Sequence, residues 1–253
     1  MSIEQIDIST PDGVAEAYLG RPDGGGDHPG VLFYIDAIGL RPRIAEMVER
    51  IASWGYVVLA PNPLYRAGTA AELAPKNGLG SMADVGAFFQ FIVPIIDEHT
   101  ADQARIDADA YIDTLLGLPG VGGRKIGTTG YCWGGRLALR AAGSRPDEVA
   151  ATGMFHTGDA VTDAPDSPHR VAGNVRAELF IGHADNDPFN TPESIAVLEK
   201  TLDQAGVTYT SEVFEGAMHG YTMSDSAMAY NEAAAERHFR ELEALFRRTL
   251  QNQ

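Results

Sequence analysis

The chain begins with two short segments in which apolar and polar residues alternate. Residues 3–8 and 15–19 flank the turn Pro11-Asp12-Gly13, and this pattern predicts a β-hairpin. Two continuous apolar runs follow, at 31–35 and 56–60. Strands with such runs are typically buried on both faces, so these two segments predict the interior of a sheet that is covered on both sides.

Helical periodicity and strand-like segments alternate over the rest of the chain. Apolar spacing predicts helices at 44–51, 82–97, 101–118, 134–142, 191–205 and 226–250. Further strands are predicted at 126–129, 149–155, 179–182 and 209–214. Alternating strands and helices require crossover connections, so the pattern predicts one α/β domain over residues 1–253. Its sheet is mostly parallel, with helices on both faces and an antiparallel start.

Composition and charge exclude several classes of partner. The 253 residues include 35 acidic and 19 basic side chains, a net charge of −16 that argues against binding nucleic acids or anionic membranes. One cysteine excludes an intramolecular disulfide framework and a thiolate zinc cluster. The start of the chain has no apolar run, and Gln90 and Pro94 interrupt the longest apolar stretch. We therefore expect a cytoplasmic protein with a reduced thiol.

The strongest chemical motif lies between a predicted strand and a predicted helix. It reads Gly130-Tyr131-Cys132-Trp133-Gly134-Gly135, which is the G-x-S-x-G nucleophile elbow with cysteine in place of serine. Small residues on both sides let the strand and the helix approach closely, and the helix N-terminus favours the thiolate of Cys132. The alternative is a buried, inert thiol. The glycine spacing does not fit a Rossmann-type phosphate loop.

A base and an acid are expected after the nucleophile along the chain. His219 is the first candidate for the base because it lies in a loop between the last strand and the last helix, flanked by Gly216 and Gly220. His156 also follows a strand and is the second candidate. His238 falls within the last helix, where we expect it at the surface.

Two aspartates follow the strand predicted at 179–182 and are candidates for the acid. Asp187 is favoured over Asp185 because the residue before a proline is held extended and can project from its loop. One alternative is a metal site formed by these two carboxylates and His183. The other is a loop that caps the following helix.

Three motifs together resemble the dienelactone hydrolase family over nearly the whole chain. They are Gly-Tyr-Cys-Trp-Gly-Gly at 130–135, Ala-Asp-Asn-Asp at 184–187 and Glu-Gly-Ala-Met-His-Gly at 215–220. The resemblance implies an α/β-hydrolase fold with Cys132 as nucleophile, Asp187 as acid and His219 as base. It also implies that neither a metal nor an organic cofactor is needed.

The same resemblance extends to the end of the first buried strand. It implies that the amides of Ala37 and Trp133 form the oxyanion hole, and that Asp36 takes the place of a glutamate that modulates the resting thiol. Dienelactone-cleaving members bind the substrate carboxylate through arginines, one of them just after the histidine. Residues 220–223 contain no arginine, and Arg66 could compensate only in part. The sequence therefore favours the general ester or lactone class over dienelactone itself.

The expected activity is hydrolysis of a small lactone or carboxylic ester through a cysteine thioester, as in a carboxymethylenebutenolidase. The expected partner is a small-molecule ester or lactone. The alternative is a non-catalytic protein of the same fold that binds a small ligand, which we would expect to lack one of the three catalytic positions. A thiol redox role is disfavoured because the chain has no second cysteine to resolve a disulfide.

Overall fold

Strands and helices alternate along the computed structural model, which describes residues 3–76, 78–226 and 228–251. The strands are β1 (Ile3–Thr10), β2 (Gly13–Gly20), β3 (His28–Tyr34), β4 (Val57–Pro61), β5 (Val121–Tyr131), β6 (Val149–Phe155), β7 (Glu178–Ala184) and β8 (Tyr209–Phe214). The helices are α1 (Pro42–Ala52), α2 (Ala70–Leu73), α3 (Met82–Asp97), α4 (Ala101–Gly117), α5 (Trp133–Ser144), α6 (Pro192–Ala205) and α7 (Glu232–Leu250). A 3₁₀ helix spans Pro168–Asn174.

The eight strands form one sheet in the order β1-β2-β4-β3-β5-β6-β7-β8. Strands β1 and β2 form an antiparallel hairpin, and β2 pairs antiparallel with β4. All later pairings are parallel, with Val31 of β3 opposite both Val58 and Gly127. The sheet is therefore mostly parallel with an antiparallel start, as the sequence predicts.

Helices cover both faces of this sheet. Side chains of β3 alternate between the two faces: Leu32 packs in the core formed with α4, α5 and α6, whereas Val31 and Phe33 pack in the core formed with α1 and α7. This division explains why the β3 run is apolar at every position. Within the described ranges, no helix combines the length and apolar character needed to cross a bilayer.

Helix α7 and strand β5 differ most in their bounds from the sequence prediction. Helix α7 begins at Glu232 rather than at 226, because the Asn231 side chain caps it by accepting a hydrogen bond from the amide of Ala234. Residues 226 and 228–231 precede the helix, and Ala227 lies outside the described residues. Strand β5 extends beyond 126–129 in both directions, and its first residue pairs with His28.

The strand order brings the candidate residues to one edge of the sheet. Asp36 follows β3, Cys132 follows β5, Asp187 follows β7 and His219 follows β8. Because these strands are parallel, their carboxyl ends lie at the same edge, where ligands bind in sheets of this kind.

Candidate active site

Cys132 occupies a sharp turn between β5 and α5. Its backbone has φ 54° and ψ −123°, a region that residues with a side chain rarely adopt. A Cβ at Gly130 would lie 2.1 Å from the carbonyl oxygen of Gly134, and a Cβ at Gly134 would lie 2.3 Å from that of Ile35. Glycine is therefore required at both positions, and the backbone has the elbow geometry that the motif predicts.

The structure brings the predicted nucleophile, base and acid into one hydrogen-bonded chain. The Nε2 atom of His219 lies 3.1 Å from the Sγ atom of Cys132, and its Nδ1 atom lies 2.7 Å from Oδ2 of Asp187. The second oxygen of Asp187 accepts a hydrogen bond of 2.9 Å from the amide of Phe189. The carboxylate is thus held on both sides and fixes the orientation of the imidazole.

The charges around His219 favour its protonated form. Burial lowers the pKa of His219, but the neighbouring Cys132 thiolate and the hydrogen-bonded Asp187 carboxylate outweigh burial and raise it to about 10. An imidazolium next to a thiolate is the arrangement that makes a cysteine nucleophilic at neutral pH.

Asp185, the other candidate for the acid, has a different role in the same loop. Its Oδ2 accepts a hydrogen bond of 2.9 Å from the amide of Gly216, and its Oδ1 accepts one from the side chain of Asn186. Asp185 therefore joins the loop after β7 to the loop that carries His219, which has Gly216 and Gly220 in the left-handed region.

The side chain of His183 makes its hydrogen bonds with residues other than the two aspartates. Its ring nitrogens are hydrogen-bonded to Asn190 and Ser211. Among the residues that the structure describes, no three His, Cys, Asp or Glu side chains are grouped to hold a metal ion. His183, Asp185 and Asp187 therefore do not form the metal site that the sequence left open as an alternative.

His156, the second candidate for the base, lies behind His219. The two rings pack edge to face with centroids 5.3 Å apart, and Nε2 of His156 is 2.8 Å from Oγ1 of Thr222. Burial holds the pKa of His156 well below its ordinary value, so this ring stays neutral beside the His219 imidazolium. His156 therefore packs against His219 as a neutral neighbour.

The prediction that His238 lies at the surface was wrong. The residue is fully buried on the inner face of α7, and its Nε2 atom is 3.2 Å from the hydroxyl of Tyr131. The apolar face of α7 includes Ala235, His238, Leu242 and Leu245, so the helical spacing itself places the histidine inward.

The two amides expected to form an oxyanion hole lie on either side of the elbow. Ala37 follows β3, and Trp133 is the first residue of α5; both residues are buried. Neither amide has a hydrogen-bond partner in the described part of the chain. Two such donors near a thiolate can stabilise the negative charge that develops on a carbonyl oxygen under attack.

Asp36 is held by an arginine that the sequence analysis did not single out. Arg41 donates two hydrogen bonds to its carboxylate, of 2.7 and 2.9 Å, and the amide of Ile38 donates a third of 3.1 Å. Arg41 also pairs with Asp225, in the loop after His219. Arg41 thus joins the segment 36–40 after β3, called the oxyanion loop below, to the loop that carries His219. No hydrogen bond between Asp36 and Cys132 is present among the described residues.

Arg66 is also bound to carboxylates rather than free to meet a substrate. It donates two hydrogen bonds to Asp107, of 2.8 and 2.7 Å, and it pairs with Asp12. Asp107 is buried on α4, so this ion pair lies partly inside the protein.

Apolar groups lie beside Trp133, which follows the thiol, and beside His219. A pocket beside the oxyanion loop is lined mainly by apolar side chains, among them Ile38, Leu64, Leu73, Ile92 and Trp133. The ring of Phe189 packs against that of His219 with centroids 5.1 Å apart, and 54% of Phe189 is exposed. The side chains next to the proposed nucleophile and base are therefore mainly apolar.

Comparison with known proteins relates this chain to one protein family. The profile of the dienelactone hydrolase family matches residues 15–250. A protein from Methylorubrum extorquens named "putative carboxymethylenebutenolidase" is 25% identical over 245 residues, which cover 96% of this chain and 80% of that protein. A Saccharomyces cerevisiae protein of the same name is 29% identical over 202 residues, covering 76% of this chain and 70% of that one. A solved structure named as a "putative dienelactone hydrolase", from Klebsiella pneumoniae, is similar in fold, with a TM-score of 0.81, 21% identity, and coverage of 97% of this chain and 99% of that one.

Proposed function

Because the chain belongs to the dienelactone hydrolase family and is a hydrolase, we propose that it cleaves small lactones or carboxylic esters through a thioester on Cys132. The observation that carries this proposal is the hydrogen-bonded chain from Cys132 through His219 to Asp187, with distances of 3.1 and 2.7 Å. The name carboxymethylenebutenolidase, which several relatives carry, supports a lactone or ester substrate.

In the first step the Cys132 thiolate attacks the carbonyl carbon and forms a carbon–sulfur bond. The carbonyl electron pair moves to oxygen, where the amides of Ala37 and Trp133 stabilise it. The loss of one such donor typically costs about 100- to 1,000-fold in rate. The carbon–oxygen bond to the alcohol then breaks, and the His219 imidazolium gives its proton to the leaving oxygen.

In the second step water hydrolyses the thioester. Neutral His219 accepts a proton from water, and the hydroxide equivalent attacks the acyl carbon in the same oxyanion hole. The carbon–sulfur bond breaks, and the thiolate returns beside the imidazolium. Asp187 acts throughout by holding Nδ1 of His219 in the orientation that both transfers need.

Trapping the acyl intermediate tests this proposal. Purified protein is mixed with p-nitrophenyl acetate and with a panel of small lactones, and the intact mass is recorded after rapid acid quench. We expect turnover and an acetyl adduct on Cys132, with both lost in Cys132→Ala. Turnover that survives Cys132→Ala would refute the cysteine mechanism. A folded protein without turnover of any ester or lactone would favour the non-catalytic binding protein.

The role of Asp36 is tested by alkylation of the thiol. Since Arg41 binds both oxygens of Asp36, we propose that this carboxylate positions the oxyanion loop in the resting enzyme. Asp36→Ala should then lower kcat for p-nitrophenyl acetate while the iodoacetamide labelling rate of Cys132 changes little. Much faster labelling would instead show that Asp36 restrains the thiolate, as the family resemblance implies.

A further inference from the structure

A second cavity lies one helical turn beyond the nucleophile. It measures about 210 Å³, opens to solvent on one side, and is lined by the end of α3, the start of α4, the outer side of α5 and the loop at 162–168. Trp133 contributes to its wall and also to the apolar pocket beside the oxyanion loop. The cavity therefore adjoins the proposed catalytic centre.

Two arginines of α5, Arg136 and Arg140, line this cavity. Arg136 is mostly buried, makes no hydrogen bond within the described residues, and has one distant ion pair, 4.0 Å from Asp159. Arg140 donates a hydrogen bond of 2.5 Å to the backbone carbonyl of Asp166. A guanidinium has five N–H donors, so most of the donors on both side chains are unused.

Arg41 and Arg66 provide a comparison, because the charge of each is balanced by carboxylates. Each donates paired hydrogen bonds to a carboxylate, and these carboxylates raise its pKa despite burial. Burial instead lowers the pKa of Arg136 and of Arg140, and Arg136 lowers that of Arg140 further. The positive charges of Arg136 and Arg140 are thus poorly balanced by carboxylates of the protein.

The carboxylates near the cavity do not balance the charge of the two arginines. Asp97 and Asp166 line the cavity with exposed side chains, and 55% of the Asp159 side chain is exposed. Solvent screens exposed charges strongly, so their effect on a buried guanidinium is small. Oxygen atoms bound inside the cavity would lie in a drier environment and could meet the planar donors of both arginines.

The spacing along α5 relates this cavity to the thiol. Arg136 and Arg140 follow Cys132 by four and eight residues, or about 6 and 12 Å along the helix axis. Long side chains on a helix point back toward its N-terminus, which here is the end that carries Cys132. The Cys132 thiolate is also among the charges that act on Arg136.

We propose that Arg136 and Arg140 bind the carboxylate or phosphate group of an anionic substrate whose ester carbonyl lies at Cys132. This inference rests on the proposed ester hydrolysis and narrows its substrate class. The proposed anion site is formed by residues of α5. It involves neither Arg66 nor the segment that follows His219.

Matched pairs of esters test the proposal through kcat/KM. In one pair the anion is on the acyl side: the p-nitrophenyl monoester of glutaric acid is compared with its methyl-capped, neutral form. In the other pair it is on the alcohol side: 4-acetoxybenzoate is compared with its methyl ester. We expect wild type to prefer the anionic member of at least one pair. Arg136→Gln and Arg140→Gln should each reduce that preference by about tenfold or more, the usual strength of a charged hydrogen bond.

Arg176→Gln is the matched control. Arg176 is 71% exposed, pairs with Asp147 at the surface and does not line the cavity, so this variant removes the same charge outside the proposed anion site. It should retain the wild-type preference. No preference in either pair, or an equal loss in the control, would overturn the proposal.

A binding measurement separates this inference from the proposed function. The chain has two tryptophans, so a Trp54→Phe background leaves Trp133, in the cavity wall, as the fluorophore. We expect glutarate or inorganic phosphate to change its emission, and Arg136→Gln to weaken that change. Binding without ester turnover would retain the anion site and refute the hydrolysis. Phosphate binding without a preference for either anionic ester would identify a free-anion site and overturn the substrate assignment.

Discussion

Replacing Asp187 with asparagine should reverse the tautomer of His219 in its neutral form, which is the form that accepts a proton. In the wild type, Oδ1 of Asp187 accepts from the amide of Phe189 and Oδ2 accepts from Nδ1 of His219. In Asp187→Asn the amide oxygen must stay with the Phe189 N–H, because an NH₂ group there would place donor against donor. The NH₂ group then faces Nδ1, and the imidazole carries its proton on Nε2, toward Cys132.

The size of the effect follows from the chemistry that this tautomer blocks. With Nε2 already protonated, a neutral His219 cannot accept a proton from the thiol or from water. The equivalent change in serine hydrolases costs about 10⁴-fold in turnover. A thiolate forms more readily than an alkoxide, so we expect a loss of about 10²- to 10⁴-fold here. The pKa of His219 should also fall from about 10, because it loses the carboxylate.

The assay is kcat/KM for p-nitrophenyl acetate from pH 5 to 10, with circular dichroism to verify folding. Asp185→Asn is the matched control, since Asp185 lies two residues earlier and binds the amide of Gly216 instead of His219. It should lose far less activity than Asp187→Asn. The reverse order would assign the acid to Asp185, and equal, small losses would refute the triad assignment in this loop.

Three further changes probe the elbow, the ion pair and the base. Gly134→Ala should reduce kcat/KM by about 100-fold, because its Cβ would lie 2.3 Å from the carbonyl oxygen of Ile35 and displace the oxyanion loop by roughly 1 Å. Gly86→Ala, whose Cβ meets nothing within 4 Å, should retain activity, and equal activity in the two variants would contradict this reasoning. The raised pKa of His219 should stabilise the fold fully below about pH 6.5 and progressively less toward pH 10. The Tm should therefore fall more steeply over that range in wild type than in Cys132→Ala, and parallel slopes would refute the ion pair. His219→Ala should abolish ester turnover with an unchanged circular dichroism spectrum, and retained turnover would require another base.

Sequence patterns predicted the order of the main elements and the strand ends where the candidate residues lie. This worked because buried parallel strands and amphipathic helices have different apolar periods. The start of α7 was less predictable. The helical period continues upstream of Asn231, and only the capping hydrogen bond to Ala234 determines where the helix begins.

The partners of the charged residues could not be predicted in the same way. Arg41 reaches Asp225 across 184 positions, and Arg66 reaches Asp107 across 41, so neither pairing has a local signature. The same limit applies to Arg136. From the sequence, a cation on a helix is expected to be solvated, and only the tertiary structure shows that Arg136 is mostly buried. Burial and pairing of charges depend on tertiary packing, whereas strand and helix periods do not.

The position of β5 in the sheet has a consequence for synthesis on the ribosome. Strands β1 to β4 are complete at Pro61, but β3 lies between β4 and β5, and β5 ends at Tyr131. The newly made chain therefore presents an open edge of β3, with its apolar run, while about 70 more residues are added. At 5–20 residues per second this interval is on the order of 4 to 14 s. An unpaired apolar edge promotes aggregation, so dependence on chaperones should be greatest in this interval, because β6, β7 and β8 later follow one another more closely along the chain.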